Sequence, residues 1–196
     1  MTKWVPKTKI GKMVADGEIT DIERIHQMNK PILEYQIIDK LLGGTDEEVL
    51  DVTRVSRTTD SGRKLSYRVT TAVGDKKGHI GIGTSKGKNV PLAIEKSVKV
   101  AKKNMKTIKR GCGSWECGCG EEHSLEKTVD GKVGSVKIEI KPAPRGTGIV
   151  AGETAKKILQ LTGVKDAWTK AKGKTSTTKN FAEATLEALK KTRKTR

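Results

Sequence analysis

Apolar residues recur along this chain in two rhythms, and each predicts a different element. Over residues 89–110, Val90, Ile94, Val98, Ala101, Met105 and Ile108 return at steps of three and four, which lays them in one stripe of a helix. Asn89 stands where a cap is wanted, Pro91 where a missing N–H costs nothing, and Gly111 where the helix should stop. At ~1.5–3 kcal/mol per fully buried large aliphatic side chain, that stripe is enough to fix the helix on a sheet. A weaker helical period runs from Glu18 to Leu42 through Ile19, Ile22 and Ile25, then Ile32, Ile37, Ile38, Leu41 and Leu42. Asn29-Lys30-Pro31 should break it and Gly43-Gly44 close it.

The second rhythm is strand-like. Residues 46–58 predict a first strand, Thr59-Asp60-Ser61-Gly62 a turn, and the alternation of Tyr67, Val69, Thr71 and Val73 a second strand. Residues 74–78 make a hairpin loop, and Ile80 and Ile82 mark a third strand. After Leu125 the pattern starts again. Lys127 to Val129, a turn at Asp130-Gly131 and Val133 to Ile140 predict a hairpin. Residues 142–148 then open a helix through Ile149, Ala151, Ala155, Ile158, Leu159 and Thr162, ended by Gly163. Residues 164–169 return as a strand, and Asn180 with Glu183 caps a last helix. The class is α+β in two domains, β-β-β-α over 46–111 and β-α-β-α over 125–196, joined by a Cys/Gly-rich loop at 112–124. Residues 1–45 precede them as a basic arm, ordered only on a partner, and an acidic helical extension.

Charge changes this picture more than composition does. The chain of 196 residues has a formal net charge of +17 and only six aromatic residues, so nucleic acid or an anionic surface is the partner to expect. Residues 16–48 carry nine acids against three bases, a net of −6, which leaves +23 for the remainder. The acidic segment is therefore either a small satellite pair of helices stapled to the main fold or, as its charge favours, a surface facing protein. On the helix at 89–110, Lys96, Lys99, Lys103, Lys106 and Arg110 keep the helical period with Glu95 as the acid between them. Such a row repels itself unless a polyanion lies against it. A basic stretch, 190–196, follows the last helix. No apolar run approaches the ~18 residues of a spanning helix, and the first residues lack the apolar core of a signal peptide, so the expectation is a cytoplasmic protein with no membrane partner.

Three motifs carry candidate chemistry. Residues 81–88 imitate a phosphate loop, but only three residues separate Gly83 from Gly87 where four are required, and Lys-Asn follows; these glycines instead predict a strand lying close to something, such as an RNA backbone. Arg145 followed by Gly146, Thr147 and Gly148 at a helix start would offer free N–H groups to an anion. Cys112, Cys117, Cys119 and His123 hold every cysteine of the chain within eight residues, with an imidazole four further on. Three thiolates and an imidazole can fill a tetrahedral zinc site, but the Cys-x4-Cys-x-Cys-x3-His spacing is not a paired knuckle, and one-residue separation puts two ligands on opposite sides of an extended backbone. Structural zinc and a reduced Gly-rich loop lying on RNA both remain open. The zinc-deaminase pattern is missing.

Taken together, Thr59 to Lys64, the strand-turn-strand from Val73 to Gly83, Ala101-Lys102-Lys103-Asn104-Met105, residues 142–152 and residues 175–189 resemble the small-subunit ribosomal protein five family in its archaeal and eukaryotic-type form. The resemblance covers nearly the whole chain. It implies a double-stranded-RNA-binding-like first domain and a second domain like domain two of ribosomal protein five, of the left-handed β-α-β type. It further implies a structural constituent of the small ribosomal subunit, not an enzyme and with no required cofactor, that binds rRNA at the body and neck. There the family supports decoding accuracy and the channel through which mRNA enters, beside ribosomal proteins two, three, four and eight. Carried onto this sequence, the family's first-hairpin loop falls on Arg57 to Lys64, and its interface with protein four on Gly83, Lys102, Lys103 and Asn104. The RNA-contacting set expected here is Arg57, Arg63, Lys64, Lys96, Lys99, Lys103, Lys106, Arg110, Arg145, Gly146 and Gly148. Two rivals stay in view: a zinc-dependent RNA-modifying enzyme built on the cysteine loop, which lacks a recognisable acid/base constellation, and a stand-alone double-stranded-RNA-binding regulator.

Overall fold

The computed structural model describes residues 4–28 and 30–193. The alternating stretch forms an antiparallel sheet of β1 (Asp46–Thr59), β2 (Gly62–Gly74) and β3 (His79–Gly87), paired from Asp46↔Gly74 to Thr59↔Gly62 and from Gly74↔Ile80 to Tyr67↔Gly87. The basic helix covers one face, but it spans Val90–Lys103 rather than reaching Arg110. The chain then turns to lay a short fourth strand, Lys106–Thr107, along the free edge of β3. The reason is that Met105 and Ile108 bury on opposite sides of the sheet, in different clusters, which no single helical stripe can achieve. Lys106 and Arg110 therefore lie off the helix.

Side-chain alternation sends Thr71, Val73, Gly81 and Gly83 toward this helix, and Ala72, Ile80 and Ile82 to the other face. A Cβ on Gly83 would lie 2.1 Å from the Ser97 carbonyl oxygen, and one on Gly81 2.2 Å from that of Ala101. The glycines expected to approach an RNA backbone thus approach a helix of their own chain. Thr71 donates to Ser97 Oγ at 3.1 Å, which satisfies the polar atoms caught in this contact.

Three short helices, Lys9–Ala15, Ile22–Gln27 and Gln36–Leu42, pack Ile10, Val14, Ile25, Ile37 and Ile38 against Val98, Ala101 and Met105. The expected arm is therefore ordered on its own chain from Trp4 onward: Thr8 caps the first helix through Gly11 N, and Glu34 accepts from Trp4 Nε1 at 2.8 Å and from the N–H groups of Lys7 and Thr8. Residues 1–3 of that arm, and Asn29 of the expected break, lie outside the described residues.

The second sheet has the order β5 (Val129–Val133), β6 (Val136–Pro142), β8 (Ala167–Lys172), β7 (Ile149–Val150), with β7 parallel to β8 and the other pairs antiparallel. The hairpin turns at Gly134-Ser135 rather than at Asp130-Gly131. Gly131 instead sits mid-strand beneath the last helix, Thr178–Lys190, where a Cβ would meet the Ala184 carbonyl oxygen at 2.1 Å. The helix after residue 148 starts only at Glu153 and runs to Thr162, because Ile149 and Val150 pair with Ala167 and Trp168 first. The two later helices lie between the sheets, so one core runs from Ile80 and Ile82 through Ile158, Leu159 and Leu189 to Ile138 and Ile140. Of the expected basic tail, Thr192 is buried and accepts from Lys109 N at 3.1 Å; residues 194–196 lie outside the described residues. Among the described residues no helix is long and apolar enough to cross a membrane.

The close helix–sheet approach makes a direct prediction. Gly83→Ala should cost about 3 kcal/mol in a denaturant melt, because the atoms met are backbone and cannot step aside, whereas Gly44→Ala, with open space around it, should leave the midpoint unchanged.

Candidate nucleic-acid interface and metal centre

The tip of the β1–β2 hairpin brings Arg57 opposite Lys64, and Thr58 opposite Arg63, on exposed strand ends. Like charges facing each other across a ladder are destabilising unless an anion is shared between them. Lys96 and Lys103 lie exposed on the first long helix and Lys106 on β4; among the described residues none of these six cations has an ion pair. Lys99 lies over the Tyr35 ring, 5.4 Å from its centroid. Arg110 pairs with Glu122 at 3.3 Å and reaches the Lys76 carbonyl, and Arg145 pairs with Glu121 at 3.2 Å. The basic row read from periodicity is thus a set of separate patches.

The expected protein-interface positions are placed differently. Gly83 is buried beneath its helix and offers no surface. Lys102 is only 13% exposed and bridges Asp39 at 2.8 Å and Glu47 at 3.4 Å. Burial opposes its charge, but the two carboxylates outweigh that and hold its pKa above the usual lysine range. Part of the acidic segment is therefore neutralised by the chain itself. Asn104 is exposed at the helix end, with its amide 3.4 Å from the Ile82 carbonyl.

A cleft of about 580 Å³ lined by His26, Lys30, Pro31, Lys106, Thr107, Lys190 and Arg193 was not foreseen. Its cations come from three distant stretches of chain, so no local pattern announces it. Burial holds His26 below the usual histidine range, aided by Lys106 and Arg193 and opposed by its hydrogen bond with the Met105 carbonyl.

The cysteine loop closes on itself because Gly111 and Ser124 exchange backbone hydrogen bonds at 3.0 and 2.9 Å, which returns His123 to Cys112. His123 Nε2 lies 3.3 Å from Cys112 Sγ and 3.7 Å from Cys117 Sγ; Cys117 and Cys119 Sγ are 3.2 Å apart. All four donor atoms lie within 4.8 Å of one another, despite the single residue between Cys117 and Cys119. A tetrahedron with bonds of 2.0–2.3 Å has edges of roughly 3.5–3.8 Å, so the set fits zinc. Backbone N–H groups of Ser114, Cys119 and Arg145 point at the sulfurs. Hydrogen bonding between Cys117 Sγ and Cys119 Sγ, then from the N–H groups of Arg145 and Cys119, pulls the Cys117 thiol down to about 6; desolvation and the other two thiols push Cys112 up to about 11.

The residue that the sequence did not reveal here is Asp166. It is 4% exposed, and its Oδ2 lies 2.8 Å from His123 Nδ1, the arrangement by which a carboxyl group orients a metal-binding imidazole. Its Oδ1 accepts from Gly146 N at 3.1 Å and Gly148 N at 2.8 Å. The amides expected to hold a phosphate at a helix start therefore hold the chain's own carboxyl group, and residues 145–148 stand ahead of β7 rather than of a helix. With four protein ligands the centre keeps no position open for a reacting water, and the nearby Glu121 and Glu122 are engaged by arginines.

An exposed basic hairpin on an α+β scaffold, a second α+β unit sharing its core, and a closed Cys3His centre between them define a nucleic-acid-binding structural protein. Residues 45–109 match Ribosomal protein S5, N-terminal domain, and residues 131–196 match Ribosomal protein S5, C-terminal domain. Relatives named small ribosomal subunit protein uS5 include those of Methanocaldococcus jannaschii, 54% identical over 96% of this chain and 87% of the relative, and of Methanothrix thermoacetophila, 50% identical over 95% and 92%. That of Ignicoccus hospitalis is 50% identical over 98% and 91%. The chain belongs to the ribosomal protein S5 family.

The depressed His26 sets a pH dependence. His26 takes up a proton less readily in the folded chain than in the unfolded one, so native stability should fall as pH drops through the usual histidine range, about 6.5. In His26→Gln that contribution should vanish, and paired denaturant melts at about pH 7.5 and pH 5.5 should show the gap to wild type narrowing at the lower pH.

Proposed function

We propose that this chain is a structural constituent of the small ribosomal subunit, holding rRNA of the body and neck through phosphate contacts from two patches. It is a member of a structural family and not an enzyme. The hairpin tip with Arg57, Arg63 and Lys64 carries the reading, since three cations share one exposed end without an ion pair among the described residues. Lys96, Lys103 and Lys106 form the second patch, while Lys99, Arg110 and Arg145 would exchange the partners they have here. In the cytoplasmic ribosome, the residues around Lys103 and Asn104 would face ribosomal protein four, with proteins two, three and eight as further neighbours and mRNA passing on the channel side. In this reading the two domains, 46–111 and 125–196, keep decoding geometry by fixing rRNA helices relative to each other. Cys112, Cys117, Cys119 and His123 would hold a structural zinc ion, whose chemistry is to tie the loop together rather than to activate water.

Because phosphate contacts release counterions, affinity for small-subunit rRNA should fall steeply with salt. Replacing Arg57, Arg63 and Lys64 together by Ala should flatten the plot of log affinity against log salt by roughly one per cation removed, measured by filter binding on a neck-containing rRNA fragment. An unchanged slope would remove the hairpin from the interface.

A further inference from the structure

The metal ligands and the 143–148 loop meet through two routes. Along the first, the Arg145 N–H points at Cys117 Sγ, a ligand sulfur. Along the second, Asp166 joins the ligand imidazole to the loop: one carboxyl oxygen lies on His123 Nδ1, and the other accepts from Gly146 N and Gly148 N. The backbone around Asp166 is stitched to the same place, since the N–H groups of Lys165 and Asp166 donate to the His123 carbonyl at 2.9 and 3.2 Å. Ser124 Oγ donates to the Asp166 carbonyl at 2.6 Å and accepts from Ala143 N at 3.2 Å. Gly146 and Gly148 have φ of +90° and +73°, backbone conformations open to glycine, and these turn both amides toward Asp166.

We infer that metal held by Cys112, Cys117, Cys119 and His123 sets the conformation of residues 145–148, with Asp166 as the positioning residue that transmits it. The inference rests on the structural-zinc reading above. With the ion bound, the imidazole is held at Nε2 and its Nδ1 fixes one oxygen of Asp166, so the other oxygen presents a fixed acceptor to two backbone amides. Without the ion the imidazole loses its tether at Nε2, so the hydrogen bond from Nδ1 alone holds that oxygen of Asp166 and the carboxyl group is less firmly placed. Presentation of the Arg145 side chain, 65% exposed at the start of this loop, then depends on a divalent thiophilic cation.

Amide exchange and metal titration of the full chain separate the possibilities. Cobalt(II), used as a zinc probe, should bind at one equivalent with the ligand-field spectrum of a tetrahedral thiolate site. Removing zinc with a chelator should speed exchange at Gly146 and Gly148 by at least ~tenfold, although neither touches the metal, while Ile138 and Ile140 of β6 stay protected. Asp166→Asn should weaken zinc binding by about 10–100-fold, leave the shape of the cobalt spectrum unchanged, and make exchange at both glycines fast with or without zinc. If cobalt binds as described but zinc removal leaves both glycines protected, the coupling is wrong and the metal site stands. If protection collapses throughout β6 as well, the ion acts on the whole fold and the local coupling is again wrong. Failure to bind cobalt or zinc at all overturns the metal reading itself. The wild-type comparison decides between these outcomes even if the Asp166→Asn chain does not fold.

Discussion

The first sheet is sandwiched at a separation that only glycine permits. On one side Gly81 and Gly83 let the Val90–Lys103 helix rest its backbone almost on β3. On the other, a Cβ at Gly74 would fall 2.4 Å from the Leu161 carbonyl, so the Glu153–Thr162 helix comes equally close. Layers this near together exclude large side chains from the contact and bring small ones, Ala72, Ala93, Ala101 and Ser97, into the interior. The shared core and the placing of both later helices follow from that spacing.

The second organising feature is a buried carboxyl group. A polar group taken out of water must find partners inside the protein, and Asp166 finds three, from His123, Gly146 and Gly148. Together they stitch the loop after β6, the start of β8 and the cysteine loop into one junction. The cysteine loop in turn continues directly from the strand that closes the first sheet, so the connection between the two sheets is pinned at its far end. The same hydrogen bonds remove the Gly146 and Gly148 amides from the groups available to a phosphate.

Electrostatics follows an equivalent division. Four of the nine acids of the 16–48 segment are used on the chain's own bases: Asp39 and Glu47 on Lys102, Asp46 on Lys76, Glu48 on Lys157. The exposed pair of Asp46 with Lys76 contributes little stability. The larger effect of these pairs is on the field, since they quiet one flank while the hairpin tip and the outer face of the Val90–Lys103 helix keep their positive charge unopposed.

The α+β class, the three strands of the first sheet, the turn at Thr59 to Gly62, the helix stop at Gly163 and the four clustered metal-ligand candidates were legible in the sequence, because each rests on local periodicity, turn chemistry or residue type. It overextended the basic helix, since helical period alone cannot tell that Met105 and Ile108 bury on opposite sides of a sheet. It turned the second hairpin at Asp130-Gly131 because a glycine needed for close packing beneath a helix carries the same letter as one needed for a turn. Only the tertiary structure decided that Lys102 faces inward, that Lys30, Lys106 and Arg193 share a cleft, and that Asp166 stands behind His123. Those contacts join residues at least 43 positions apart, or depend on which face of an element is covered. Hydrogen-bond geometry at such separations is set by how layers pack, and no short window of sequence contains it.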